Sequence, residues 1–223
     1  MKRDFVFRLK GIFHPVRPLS LAQVAYMDDL LDKRAPLVFG VGPTGTGKTH
    51  LAIAAALSQL ASEEIKRIVV TRPHILQEGE VMTAEMRAET RRDDQFAPIF
   101  DVLHDLLRHD DIAQLIDQRR LEILPLGLIR GRTFNDSSII VDEAQDMTVQ
   151  RMRMAVTRLG RRSRMVVTGD PSQVTLRTDE PSGLAHLLNL LRETDVARIH
   201  EFKRGEIIRN ETVAKLEALY AAA

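Results

Sequence analysis

The stretch Leu37-Val38-Phe39-Gly40-Val41-Gly42-Pro43-Thr44-Gly45-Thr46-Gly47-Lys48-Thr49-His50-Leu51-Ala52 decides the fold. It reads as a buried strand, a turn carrying three glycines, and a helix that opens at Lys48. Gly42 to Thr49 fits G-x-x-x-x-G-K-[ST] in full, with a strand before it and a helix after it, the context that gives the motif its meaning. Glycines let backbone N–H groups turn inward toward phosphate oxygens, and the helix start adds its positive dipole end. Gly42, Pro43, Thr44, Gly45, Thr46, Gly47, Lys48, Thr49 and His50 are thus the expected nucleotide-binding residues. Lys48 should reach the β- and γ-phosphates, and the Thr49 hydroxyl should ligate Mg²⁺.

Outward from this stretch, short apolar runs alternate with helical patterns. Strands are expected at Leu37–Val41, Ile68–Thr71, Leu121–Leu124, Ser138–Val141, Met165–Thr168 and Arg198–Phe202. Helical patterns fall at Lys48–Leu60, Phe96–Leu107, Val149–Leu159, Gly183–Arg192 and near Asn210–Ala221. Continuous apolar strands separated by helices predict an α/β fold with a mostly parallel sheet covered on both faces. Gln77 to Gln95, highly charged, fits neither pattern.

Hydrolysis needs a second metal anchor and a base for water. Ile139-Ile140-Val141-Asp142-Glu143 offers both where a buried strand ends in two acids. Asp142 would hold Mg²⁺, directly or through water, and Glu143 would act as general base. The following strand runs into Gly169-Asp170-Pro171-Ser172-Gln173, and the Gln173 amide is placed to reach the γ-phosphate from the side opposite Lys48. Taken alone, that last segment reads equally well as an ordinary turn.

Composition sets the outer limits. The chain has 223 residues, 44% hydrophobic and 28% charged, which suits one sizeable globular domain. With no cysteine there is no disulfide framework and no thiolate metal site. No apolar run approaches the ~18–20 residues of a membrane span, and Met1–Gly11 lacks the pattern of a secretory signal, so the cytoplasm is the expected location. A net charge of +1 predicts no general affinity for nucleic acid. Its distribution is uneven: Arg151, Arg153, Arg158, Arg161, Arg162 and Arg164 occur with no acid between them. Lys2, Arg3, Arg8, Lys10 and Arg17 make residues 1–17 a basic extension ahead of a domain at 18–223. The arginine run is either a solvated helix face or a stripe that meets a polyanion or a neighbouring subunit.

Together, GPTGTGKTHLA, the Thr71-Arg72-Pro73 triplet, PLGLIRGRTFNDSSIIVDE from Pro125 and VVTGDPSQ resemble the PhoH-like family of P-loop ATPases. Its core is akin to the first motor domain of superfamily 1 helicases. The resemblance runs from about Pro18 to Ala221 and implies a single RecA-like P-loop NTPase domain that uses ATP and Mg²⁺. It also implies that Gln23 reads the adenine edge and that Arg72 lines a nucleic-acid path or serves nucleotide or subunit contacts. Arg209 would be a sensor or arginine finger. The family's usual Gly-Phe-Leu-Pro-Gly-like turn after Gly79-Glu80 is replaced here by Val81-Met82-Thr83-Ala84-Glu85-Met86.

A finger can contribute ~10³–10⁵ in rate, and in two-domain motors it comes from the second domain. Its expected source here is a neighbouring subunit of a homo-oligomeric ring, a hexamer, with Arg209, Arg158 and Arg132 as candidates in that order. The expected substrate is single-stranded nucleic acid, RNA before DNA, held by phosphate contacts. At 4% aromatic residues and no tryptophan, base stacking is poorly supplied. Two rivals stand beside this motor: a switch or assembly module acting on a protein partner, and a small-molecule kinase. The kinase would gain nothing from Glu143 as a water-activating base.

Overall fold

A computed structural model describes residue 12 and residues 15–73, 94–174 and 181–208. Six strands form one sheet: β1 Leu37–Val41, β2 Arg67–Arg72, β3 Leu121–Pro125, β4 Ser137–Val141, β5 Arg164–Gly169 and β6 Arg198–Glu201. Their order is β3-β2-β4-β5-β1-β6, and every pairing is parallel. The three central strands β4, β5 and β1 are buried throughout, whereas the edge strand β6 is not. Burial on both faces explains why the inner strands read as unbroken apolar runs.

Among the described residues six α-helices cover the sheet: α1 Leu21–Leu31, α2 Lys48–Ala61, α3 Ala97–Leu106, α4 His109–Asp117, α5 Val149–Val156 and α6 Gly183–Leu191. The strand period of two separates two cores. Val38, Ile140 and Val166 point to one face and pack with Tyr26, Leu51, Ile99 and Ile112 from α1 to α4. Phe39, Ile139 and Val167 point to the other and pack with Met152 and Leu184 from α5 and α6. On the first face α2 presents Ala52, Ala54, Ala55 and Ala56, all buried. Small side chains let this helix lie close to the sheet, which sets its first turn directly above the carboxyl edge of β1. The result is the RecA-like α/β arrangement with helices on both faces.

Strand positions match the sequence reading to within a residue or so at each end. Two helices lay outside it. α1 is named there only through Gln23, and α4 is a polar helix in which Ile112 alone is buried. α5 stops at Val156, short of Leu159, because the Thr157 hydroxyl donates back to the Arg153 and Met154 carbonyls and Leu159 bridges to Phe134. The expected helix near Asn210–Ala221, the stretch at residues 77–93 and the Gly79–Met86 segment lie outside the described residues.

The arginine run is not one stripe. Arg164 is buried at the start of β5 and donates to the Asp32 carbonyl. Arg162 pairs with Asp136, its Nη2 at 2.8 Å, and Arg158 donates to the Met154 and Arg132 carbonyls. Arg151, Arg153 and Arg161 are exposed.

Candidate nucleotide-binding site

Strand order brings the two motifs together. β1 and β4 flank β5, so the turn after β1 and the acids after β4 meet above the carboxyl end of β5. Parallel sheets place ligands at this edge. A cavity of about 340 Å³ opens there, lined by Lys48, Thr49, His50, Arg72, Asp142 and Glu143 among others.

The phosphate loop keeps its shape through backbone conformations that only glycine adopts easily. Gly42, Gly45 and Gly47 have φ of 127°, 84° and 82°. At Gly47 a Cβ would also come within 2.8 Å of the Gln23 amide nitrogen. Gln23 is 3% exposed and braces the loop from behind. Its side-chain oxygen accepts from the Leu19 N–H at 2.6 Å, and its amide donates to the Thr46 carbonyl at 2.8 Å. The Thr46 hydroxyl in turn donates to the Pro43 carbonyl at 2.9 Å. On the far side the Ile208 N–H donates to the Gly45 carbonyl at 2.8 Å.

Lys48 opens α2 and curls into the loop, donating to the Gly42 and Pro43 carbonyls, both at 2.7 Å. Burial lowers its pKa, while Asp170, Glu143 and Asp142 oppose that shift. Thr49, the next residue, donates its hydroxyl to Asp142 Oδ1 at 2.7 Å. The same oxygen accepts from Thr168 of β5 at 2.6 Å. Hydroxyl and carboxylate oxygens in contact are the donor set of a hard divalent cation. Among the described residues no cluster of three or more His, Cys, Asp or Glu side chains is suited to a metal. A cation held by Thr49 and Asp142 would therefore draw its remaining oxygens from a phosphate ligand and water, as Mg²⁺ does.

Glu143 has φ 54° and ψ 42°, a left-handed conformation costly for a side chain of its kind. The turn swings its carboxylate back over the sheet edge, where Arg72 Nη2 donates to Oε1 at 3.1 Å and the Gln145 amide to Oε2 at 2.6 Å. Gln145 is 3% exposed, and its oxygen accepts the Asp170 N–H at 3.1 Å. A side chain on Gly169 would strike that oxygen, so the glycine there makes room for Gln145. Gln145 thus links the loop after β4 to the loop after β5, a role the sequence signalled only by its place two residues past Glu143.

Arg72 ends β2 beside Asp142, which donates its own N–H to the Thr71 carbonyl. The Arg72 guanidinium gives Nε to Asp142 Oδ2 at 2.8 Å and Nη1 to the Gln95 carbonyl. The Arg72 side chain thus lies inside the cavity against the two acids. The Gln173 side-chain oxygen meets the Thr44 hydroxyl at 3.4 Å, across the loop from the Asp142 side. His50 is half-buried at the cavity wall, and burial lowers its pKa against the opposing charge of Asp105. Arg209 lies outside the described residues. Arg132 is committed to Glu122 through two contacts of 2.9 and 2.8 Å and stacks over Phe134.

A family model described as "PhoH-like protein" matches residues 15–221. The chain belongs to the PhoH-like family. A PhoH-like protein of Bacillus subtilis (strain 168) is 38% identical over 208 residues, covering 92% of this chain and 64% of its own. One from Mycobacterium tuberculosis (strain ATCC 25618 / H37Rv) is 36% identical over 206 residues, with 92% and 58% covered. Protein PhoH of Escherichia coli (strain K12) is 30% identical over 198 residues, with 88% and 55% covered. The chain thus spans little more than half to just under two thirds of these relatives' lengths. Among solved structures, the Sulfolobus solfataricus SWI2/SNF2 ATPase core in complex with dsDNA has a TM-score of 0.48 at 14% identity, covering 74% of this chain and 34% of that one. Family and phosphate-loop architecture together give this PhoH-like chain the fold of the P-loop NTPases. No helix among its described residues is long and apolar enough to cross a membrane.

Proposed function

We propose that this PhoH-like chain binds ATP with Mg²⁺ at the carboxyl edge of its sheet and hydrolyses it. The observation that carries the reading is the 2.7 Å contact between Thr49 and Asp142, with Glu143 as the next residue. That contact supports the reading, because a metal-binding role for Thr49 and Asp142 and a base role for Glu143 all need these side chains within one small volume. On binding, the loop N–H groups take the phosphate oxygens, and Lys48 exchanges its carbonyl partners for phosphate. Mg²⁺, when bound, supplies charge neutralisation at the phosphate oxygens. Glu143 accepts a proton from water as the water oxygen bonds to the γ-phosphorus and the bridge to ADP breaks, releasing ADP and phosphate. Gln173 senses the γ-phosphate from the loop's far side.

Gln23 still has one amide hydrogen and one carbonyl lone pair for an adenine edge, so base recognition remains part of this reading. Of the three finger candidates, Arg132 and Arg158 are held within the chain, which leaves Arg209, the residue after Ile208, as our first choice. We propose further that hydrolysis drives movement on, or remodelling of, single-stranded nucleic acid, RNA before DNA, by a homo-oligomeric ring. The exposed Arg151, Arg153 and Arg161 are its proposed phosphate contacts.

Turnover of wild type and Glu143→Gln, each with and without single-stranded RNA, tests the reading. Wild type should turn over faster with RNA, and Glu143→Gln should bind ATP yet lose most turnover. Transfer of phosphate to a metabolite without net hydrolysis would instead select the kinase. Stimulation by neither RNA nor DNA would favour action on a protein partner.

A further inference from the structure

We propose that Arg72 is a positioning residue that acts as the site's resident cation, holding Asp142 and Glu143 in one clamp and competing with the divalent metal for Asp142. This inference builds on the reading of the site as an ATPase. Three facts carry it. The guanidinium uses Nε on Asp142, Nη2 on Glu143 and Nη1 on the Gln95 carbonyl, so every face of the fork is engaged. Its side chain is only 12% exposed, and that of Asp142 is 3% exposed. Adjacent acids at a strand end would point apart, yet the left-handed turn at Glu143 brings both carboxylates onto one guanidinium.

Charge and shape each have a consequence. A buried carboxylate at Asp142 with a second, half-exposed one beside it at Glu143 is costly without a countercharge, and Arg72 supplies it from the neighbouring strand. A divalent cation arriving at Thr49 and Asp142 meets a carboxylate whose second oxygen is already satisfied by a cation. Metal binding is therefore weakened until a triphosphate adds its own negative charge. The fork also fixes Glu143 Oε1, and Gln145 fixes Oε2, so the base is aimed before water arrives. A lysine could replace the charge but not the planar double contact.

The test separates these parts. Mn²⁺ binding to the nucleotide-free protein, followed by electron paramagnetic resonance, should tighten roughly tenfold in Arg72→Gln and stay near wild type in Arg72→Lys. With saturating Mg·ATP, kcat should fall roughly 10²-fold in both variants, within the range set by losing an aligned base. KM for ATP should stay within about threefold of wild type, and thermal unfolding should show both variants folded. Unchanged Mn²⁺ affinity in Arg72→Gln overturns the resident-cation role, whether or not the protein hydrolyses ATP. Full kcat in Arg72→Lys overturns the clamp. If wild type fails to hydrolyse ATP while the Mn²⁺ shift appears, the proposed function falls and the resident cation stands.

Discussion

Opposite edges of the sheet use the same backbone conformation for different ends. At the amino edge Glu63, Arg119, Asp136 and Arg162 all adopt positive φ, between 51° and 59°, one shortly before each of β2, β3, β4 and β5. There the left-handed residue turns the chain into a strand, and its side chain points to water or to an exposed partner, as in the Arg162–Asp136 pair. At the carboxyl edge one non-glycine residue, Glu143, has positive φ among the described residues, at 54°. Its side chain is gripped by Arg72 and Gln145. The charges differ in the same way. Exposed pairs such as Lys33–Glu64 contribute little to stability, whereas Arg72, Asp142 and Lys48 are held out of water beside one another. Strain and charge acquire chemical meaning where side chains converge.

The comparison breaks first at Glu143. Glu143→Gly keeps the backbone shape and removes the carboxylate, so turnover should drop roughly 10²- to 10⁴-fold, read by phosphate release. Residual turnover near wild type would make the turn at Glu143 no different from those at the other edge. Next in size is Asp142→Asn, which should raise the Mg²⁺ concentration needed for half-maximal nucleotide binding by roughly tenfold or more, because the charge facing Thr49 is lost. An unaltered Mg²⁺ requirement would place the metal elsewhere. Gln145→Leu removes the hold on Glu143 Oε2 and leaves the Asp170 N–H buried without its acceptor. It should lower kcat several-fold and cost about 1–3 kcal/mol of stability by denaturant unfolding.

Arg119→Gly, at the amino edge, should shift stability by no more than about 1 kcal/mol, because relief of the left-handed strain offsets the extra freedom of the unfolded chain. Turnover should not move; a fall would show that the two edges are coupled. The smallest effect concerns His50. Its folded-state pKa lies below the ordinary 6.5 because of burial, so just below pH 6.5 the unfolded chain binds the proton more readily than the folded one. Stability should decline as pH falls from about 6.5, and His50→Asn should flatten that decline. Equal pH curves for the two proteins would show that His50 is not the source.

The sheet was readable in the sequence because its inner strands are buried on both faces, and burial writes itself as unbroken apolar runs. Strand order was not, since Leu37–Val41 and Ser137–Val141 carry no mark of the β5 that separates them. The phosphate loop and the Asp142-Glu143 pair were legible because their chemistry demands fixed residue types at fixed spacing. The roles of Gln145 and Thr168 were not legible because a buried glutamine and a strand threonine look ordinary until partners 25 and 26 residues away are seen. Arg72 was flagged by its triplet, but only the parallel pairing of β2 with β4 reveals which carboxylates it faces. α4 does carry a helical trace, since Ile112, Leu115 and Ile116 share one face against the core, but it is a short helix rich in polar residues between two stronger elements and was not read.

The amide of Ile208 rests on the carbonyl of Gly45, and that one peptide contact fastens the segment leaving β6 to the tip of the phosphate loop. At 2.8 Å it tolerates only a few tenths of an ångström before it weakens. Any reshaping of the tip as an anion settles into it must stretch this tether or drag the segment along, so the loop cannot change its contents without the downstream chain registering the tug.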